Sequence, residues 1–197
     1  MPAPAAHAHQ WDAVHDSREV FLACLRAQCA PGSAIGPVPG PGRCADPALD
    51  TASAVLLSLL DPGLTLAVPD MPEAPLAWLF EQTGATPASV DDADFVLVTG
   101  DLPGVLESAQ RGDRRHPERG ATIVFAGDHA AATNSSVTLT GPGIETRLRT
   151  SLPLSDEAIR SWTTVNSELP QGVDLVLAGP AQVIALPRTC RIDREAD

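Results

Sequence analysis

A three-layer α/β/α sandwich built on a mixed sheet is the fold this sequence predicts, on three observations. The runs Phe95–Val98 and Thr122–Phe125, and those over 173–177 and 183–186, are apolar at nearly every position. Strands of that kind need cover on both faces, unlike the alternating strands of a half-exposed sheet. Helical stretches are interleaved with them, the pattern of an α/β protein. Gly179-Pro180 separates the last two runs, which reads as a hairpin and makes the closing pair antiparallel.

At 197 residues and 20.5 kDa the chain suits one domain over 16–192 behind a disordered N-terminal tail over 1–15. A first helix is expected from near Asp16, with Glu19 three residues on as a capping box. It carries Val20, Phe21, Cys24 and Leu25 and ends at Pro31-Gly32. Residues 31–46 hold four prolines and four glycines, so a loop follows, with at most a short strand at Ala34-Ile35. The second helix, about 47–60, is apolar around most of its circumference and is expected between the sheet and a partner surface. Asp61-Pro62-Gly63 breaks it, and 64–68 reads as a strand. Asp70 and Glu73 repeat the capping-box spacing ahead of a helix through Leu76, Trp78, Leu79 and Phe80, which stops at Gly84. A short helix over 103–109 divides the two central strands. Residues 136–139 alternate and lead through Thr140-Gly141-Pro142-Gly143 to a strand over 144–149. Ser155 opens the final helix, with Leu154 and Ile159 spaced as a hydrophobic staple and Trp162 and Val165 on the inner face.

Composition excludes several chemistries. The formal charge is −12, so the surface repels nucleic acid and anionic membrane. All thirteen basic residues are arginine. Without lysine there is no Schiff base to pyridoxal phosphate and no P-loop cation on a nucleotide phosphate. The first residues lack a basic start and an apolar core of signal length, and no run is long enough to span a membrane, so a cytoplasmic protein is expected. The four cysteines show no C-x-x-C pairing and read as reduced, buried thiols. No spacing of the five histidines fits a zinc template; His7 and His9 read as solvated, and His129 beside Asp128 as a surface pair. No Ser/His/Asp or Cys/His set emerges, so no catalytic, cofactor or metal residue is assigned.

Three places remain as candidates. Residues 110–120, QRGDRRHPERG, gather four arginines and His116. Guanidinium forks match phosphate oxygens, so the loop could clamp an oxyanion. A solvated loop partly neutralised by Asp113 and Glu118 is the favoured reading. Gly141 and Gly143 offer backbone that a ligand can approach closely, with a tight turn as the default. Asp174 lies inside a buried run, and a charge there needs a partner. Arg188 suggests itself, but a simple turn at Gly179-Pro180 sets Asp174 opposite Ala185 with Arg188 on the other face. A bulge at Pro187 would undo that, so the pairing stays open.

Five phrases, in order, resemble one family: the H subunit of bacterial carbon–phosphorus lyase. They are FLACLRAQCAPG (21–32), PERGAT (117–122), LTGPGI (139–144), LPQGVDLVL (169–177) and ALPRT (185–189), within a likeness covering about residues 17–192. The family usually has arginine where Leu22 stands, and commoner choices at Gln28, Cys29, Leu169 and Gln171. The resemblance implies a fold similar to the large domain of pyridoxal-phosphate-dependent transferases, without the cofactor. It implies a homodimer that assembles with the G, I and J subunits, the complex converting ATP and an alkylphosphonate to ribose 1-phosphonate 5-triphosphate plus adenine. This chain would then scaffold or activate, with the apolar second helix a candidate dimer face. Interaction or ligand roles would fall on the motif residues Pro31, Gly32, Gly141, Gly143, Gly172, Asp174, Pro187, Arg188 and Thr189. The competing expectation is a stand-alone phosphate-ester or phosphonate-binding enzyme that uses Arg188 and the 111–119 arginines.

Overall fold

The fully apolar runs form the centre of a six-stranded sheet. The computed structural model describes residues 11–70, 73–127 and 135–194, with the side chains of 73–75 and 194 left aside. His7, His9, Asp128 and His129 therefore lie outside the described residues. In chain order the helices are α1 (His15–Cys29), α2 (Pro47–Leu59), α3 (Glu73–Thr83), α4 (Leu102–Ser108) and α5 (Asp156–Val165). The strands are β1 (Thr65–Ala67), β2 (Thr86–Pro87), β3 (Phe95–Val98), β4 (Thr122–Phe125), β5 (Ser135–Thr140), β6 (Leu148–Leu152), β7 (Asp174–Gly179), β8 (Gln182–Leu186) and β9 (Arg191–Arg194).

The large sheet has the order β2-β1-β3-β4-β7-β8. Its first five strands are parallel and only the β7–β8 hairpin is antiparallel, so the sheet is mixed as expected. Alternate residues of one strand face different cores. On β3, Val96 and Val98 join one apolar cluster, with α4, α5 and the small sheet; Leu97 joins the other, with α1, α2 and α3. That two-sided burial is why the strands read as unbroken apolar runs.

Four strands differ from the sequence reading. Residues 135–140 and 148–152 stand apart from the large sheet and form with β9 a separate antiparallel sheet, β6-β5-β9, in which β5 pairs with both neighbours. The strand expected over 144–149 begins only at Leu148, because 141–147 is occupied by turns. Strands β2 and β9 are short and polar, which hides them from a search for apolar periodicity. The second helix is also covered differently. Its residues Ala52, Ala54, Val55 and Leu56 are fully buried against the sheet, α1 and α3 of its own chain, while Leu49, Leu57 and Leu59 on its outer side are half-buried.

The caps follow local chemistry. Ser155 accepts the amide of Ala158 at 3.1 Å, with Leu154 and Ile159 both buried, as the staple predicts. At α1 the expected Asp16–Glu19 box is replaced. Asp12 accepts the amides of Val14 (2.8 Å) and His15 (2.9 Å), and Asp16 in turn accepts the amide of Asp12 (2.7 Å). Those amide bonds, His15 first, hold the Asp12 carboxyl below its ordinary range. Trp11 packs on the α1–α3 core, so the described end of the expected tail is anchored. Asp70 accepts the amides of Gly100 (3.0 Å) and Thr99 (3.4 Å) beyond β3.

The loop of residues 32–38 covers the free edge of β8. Gly32 donates to the Ala185 carbonyl (3.1 Å), Val38 to Ala181 (2.9 Å), and Ile35 and Val183 exchange bonds at 2.8 and 2.9 Å. The short strand expected at Ala34-Ile35 is thus a single bridge that protects an edge.

All four cysteines are free thiols; Cys24 and Cys190 are buried, Cys44 is half-buried, and Cys29, contrary to the expectation of burial, is exposed. Desolvation pushes Cys24 and Cys190 up to about 11 from an ordinary 9.0. Only the thiolate reacts, so at pH 8 an aromatic disulfide reagent should label Cys29 rapidly, and Cys24 and Cys190 only in denaturant. The fold favours their protonated form, so this stabilisation is complete below about pH 9 and is lost as pH climbs towards 11. A denaturation midpoint that stays level across that window, or four equally fast thiols, would contradict the assignment.

Candidate functional site

The hairpin turn decides where Arg188 goes. Pro180 and Ala181 are its two central residues, with Ala181 at φ +54°, and Gly179 pairs with Gln182. Positive φ at the second central position with proline at the first is the type II pattern. Two residues in the turn, instead of none, place Val176 opposite Ala185 and Leu175 opposite Leu186. The sequence expectation of Asp174 opposite Ala185 is therefore off by two, which keeps every side chain on its face but brings Asp174 level with Pro187. Proline cannot extend the ladder, and the chain turns there, with Cys190 donating to the Pro187 carbonyl at 2.8 Å. Strand alternation no longer governs Arg188.

The result is a nearly saturated guanidinium. Arg188 donates its amide to Asp174 Oδ1 (2.8 Å), and its Nε (3.0 Å) and Nη2 (2.5 Å) to Asp174 Oδ2. Nη1 donates to the Pro117 carbonyl (2.6 Å) and Nη2 also to that of Gly120 (3.2 Å). Four of the five guanidinium hydrogens have acceptors within the chain. The side chains are 15% and 23% exposed, so this is a largely buried charge-assisted pair.

Glycines let the backbones close around it. A Cβ on Gly120 would overlap the Gly172 carbonyl oxygen, and one on Gly172 would overlap Asn166 Oδ1. Asn166 Oδ1 accepts the Val173 amide at 2.9 Å, which fixes the orientation of the side-chain amide and leaves its buried Nδ2 unpartnered among the described residues. Beyond Pro187 the seam continues. A Cβ on Gly141 would sit 3.0 Å from the Thr189 carbonyl oxygen, and one on Gly143 2.9 Å from Pro31 Cδ. Gly32 lies against Leu139 with no room for a side chain. The nine motif residues thus form one continuous joint between the end of α1, the small sheet and the amino ends of β4 and β7. The sequence phrases contained its parts; the turn geometry that joins them carried no sequence signal.

The arginine loop does not converge on Arg188. Asp113 accepts the amides of Arg115 (2.7 Å) and His116 (2.8 Å), which hold its carboxyl low, and His116 Nδ1 meets Glu118 at 3.0 Å. Arg114, Arg115 and Arg119 are exposed. Arg111 Nη2 bonds the Glu107 carbonyl at 3.0 Å, while the Arg111 carbonyl accepts the Gly172 amide at 2.9 Å. The solvated reading of this loop describes its side chains, and its backbone is stitched to β7.

All this lies at the amino ends of the parallel strands. Ligands in open α/β sheets bind at the carboxyl ends, where strand order reverses. Here that crevice lies between β1 and β3, and the exposed Asp70 carboxylate reaches across it to the amides of Thr99 and Gly100. A fixed carboxylate in that position opposes a phosphate. Among the described residues, no group of three or more His, Cys, Asp or Glu is placed to hold a metal ion, and no helix is long and apolar enough to cross a membrane.

A family model described as "Bacterial phosphonate metabolism protein (PhnH)" matches residues 8–193. The chain is 34% identical over 158 residues to the putative C-P lyase subunit protein HtxG of Stutzerimonas stutzeri, covering 78% of each chain. It is 27% identical over 191 residues to the alpha-D-ribose 1-methylphosphonate 5-triphosphate synthase subunit PhnH of Rhizobium meliloti (strain 1021), covering 93% of this chain and 94% of that one.

Removing one partner of the Arg188–Asp174 pair strands a largely buried charge. Asp174→Ala should lower unfolding free energy by about 1–3 kcal/mol, below the ~3–5 kcal/mol of a fully buried pair because both groups keep some water. Arg114→Ala should change it by less than about 0.5 kcal/mol. Urea denaturation reads both; equal effects would refute the distinction.

Proposed function

The chain belongs to the PhnH family of bacterial phosphonate metabolism proteins, and from that membership we propose that it is a non-catalytic subunit of a carbon–phosphorus lyase complex. In this reading it scaffolds or activates the assembly that converts ATP and an alkylphosphonate to ribose 1-phosphonate 5-triphosphate and adenine. Its partners are the G, I and J subunits, with a homodimer as the free form and the cytoplasm as its compartment. The mixed sheet, parallel except for its closing hairpin, supports a likeness to the large domain of pyridoxal-phosphate-dependent transferases. A lysine-free chain cannot bind that cofactor covalently.

The observation that carries the proposal is the destination of Arg188. The one arginine in the motif set is committed to Asp174, Pro117 and Gly120, so it supports architecture and not a ligand. The competing reading, an enzyme that clamps phosphate with Arg188 and the 111–119 loop, would need those donors free.

A surface for partners is available on α1. Phe21 and Leu25, one helical turn apart, are each 49% exposed, and Val14 on the same stripe is 72% exposed. Together they expose roughly 300 Å² of apolar surface, enough to form the centre of a larger contact. Leu22, which replaces the family's usual arginine, is half-buried beside this stripe. Co-expression of the tagged chain with the three partner subunits should yield a stable complex. Phe21→Glu with Leu25→Glu should reduce recovery at least ~10-fold while leaving the melting temperature within a few degrees. Adenine release from ATP and methylphosphonate should require the complex. Turnover by the isolated chain, or full activity of the partners without it, would overturn the proposal.

A further inference from the structure

A cavity remote from the motif joint has walls suited to a flat anion. It encloses about 290 Å³ between the start of α1, the 41–44 loop and the outer faces of α2 and α3, and is lined by Trp11, Pro41, Arg43, Leu57, Trp78 and Gln82. Two of the chain's three tryptophans are here, and among the described residues no acid is in the lining. The polar side-chain groups these residues carry are two indole N–H donors, a guanidinium and a carboxamide, of which only the carboxamide can also accept. In a chain of net charge −12 that selection is unusual.

The cation is presented by a built loop. Asp50 on α2 accepts the amides of Gly42 (2.9 Å), Arg43 (2.8 Å) and Cys44 (3.0 Å), fixing the backbone on both sides of Arg43. Gly40 has no side chain because Asp50 occupies the space where its Cβ would stand. With its own backbone held, Arg43 lays its guanidinium 5.3 Å from the centroid of the Trp78 ring. Among the described residues the guanidinium has no carboxylate partner. Asp50 spends its carboxylate on three loop amides. The arrangement combines a π surface, an oriented and unpaired cation and a hydrogen-bonding amide within a cavity of ring-plus-anion size.

We propose that this cavity binds a small aromatic anion, a flat ring carrying a phosphate group, with the ring against the indoles and the phosphate on Arg43. Neither the motif joint nor membership of a lyase complex is needed for it.

The tryptophans supply the assay. Trp162 is 1% exposed in the core, so ligand-sensitive emission comes from Trp11 and Trp78. Titrating the full chain with AMP should give a saturable change in emission with a Kd on the order of 0.1–1 mM. Phenyl phosphate should bind within about 10-fold of AMP, while adenosine and inorganic phosphate should each bind at least ~10-fold more weakly. Arg43→Gln, at an exposed position, should weaken AMP at least ~10-fold with an unchanged circular dichroism spectrum. Raising salt from about 50 to 500 mM on the unaltered chain should also weaken it, independently of any variant. No saturable change up to about 10 mM AMP or phenyl phosphate, adenosine binding as tightly as AMP, or salt-insensitive binding would overturn the assignment.

Discussion

The structure depends on one guanidinium whose hydrogens are almost all used inside the chain. Arg188 is the point where the closing hairpin, the start of β7 and the loop before β4 meet. A cation in that position is tolerable only because Asp174 neutralises it and two carbonyls complete its shell. The carbonyls of Pro117 and Gly120 in turn gain charge-assisted donors in a region that little water reaches. The glycines around the centre follow from the same constraint, since a side chain on Gly120 or Gly172 would push the backbones apart.

From this centre the division of the molecule follows. The amino ends of the parallel strands are bound together by side-chain and backbone bonds. At the carboxyl ends the switch-point crevice holds Asp70. The switch-point crevice, where an α/β protein commonly keeps a ligand, thus presents a carboxylate. What the molecule offers outward is surface: the apolar stripe of α1 and the aromatic cavity beside it. A protein arranged in this way suits assembly with others, which agrees with relatives named as complex subunits.

Much of the fold was legible in the sequence because burial on both faces leaves a strong mark. β3, β4, β7 and β8 were all found from continuous apolar runs, and α5 from its cap and staple. The second sheet was not, because β9 is Arg-Ile-Asp-Arg and carries no such mark. The Asp16 cap failed for a different reason: several nearby acids could serve, and Asp12 wins by reaching two amides at once. The apolar circumference of α2 correctly indicated deep burial, but periodicity cannot tell whether a chain's own helices or a partner provide the cover. At the joint, the residues were identified and their geometry was not, because a two-residue turn and a zero-residue turn are indistinguishable in the string Ala-Gly-Pro-Ala.

The pivotal role of Arg188 is most directly measured by amide hydrogen exchange in Arg188→Met, which keeps the side-chain length and removes the charge. With the centre lost, protection should fall in residues 111–121 and 139–146, while the interiors of α2 and β3 exchange as before. Unchanged protection in both segments would mean that the joint holds without its guanidinium, and Arg188 would not be the residue on which the architecture depends.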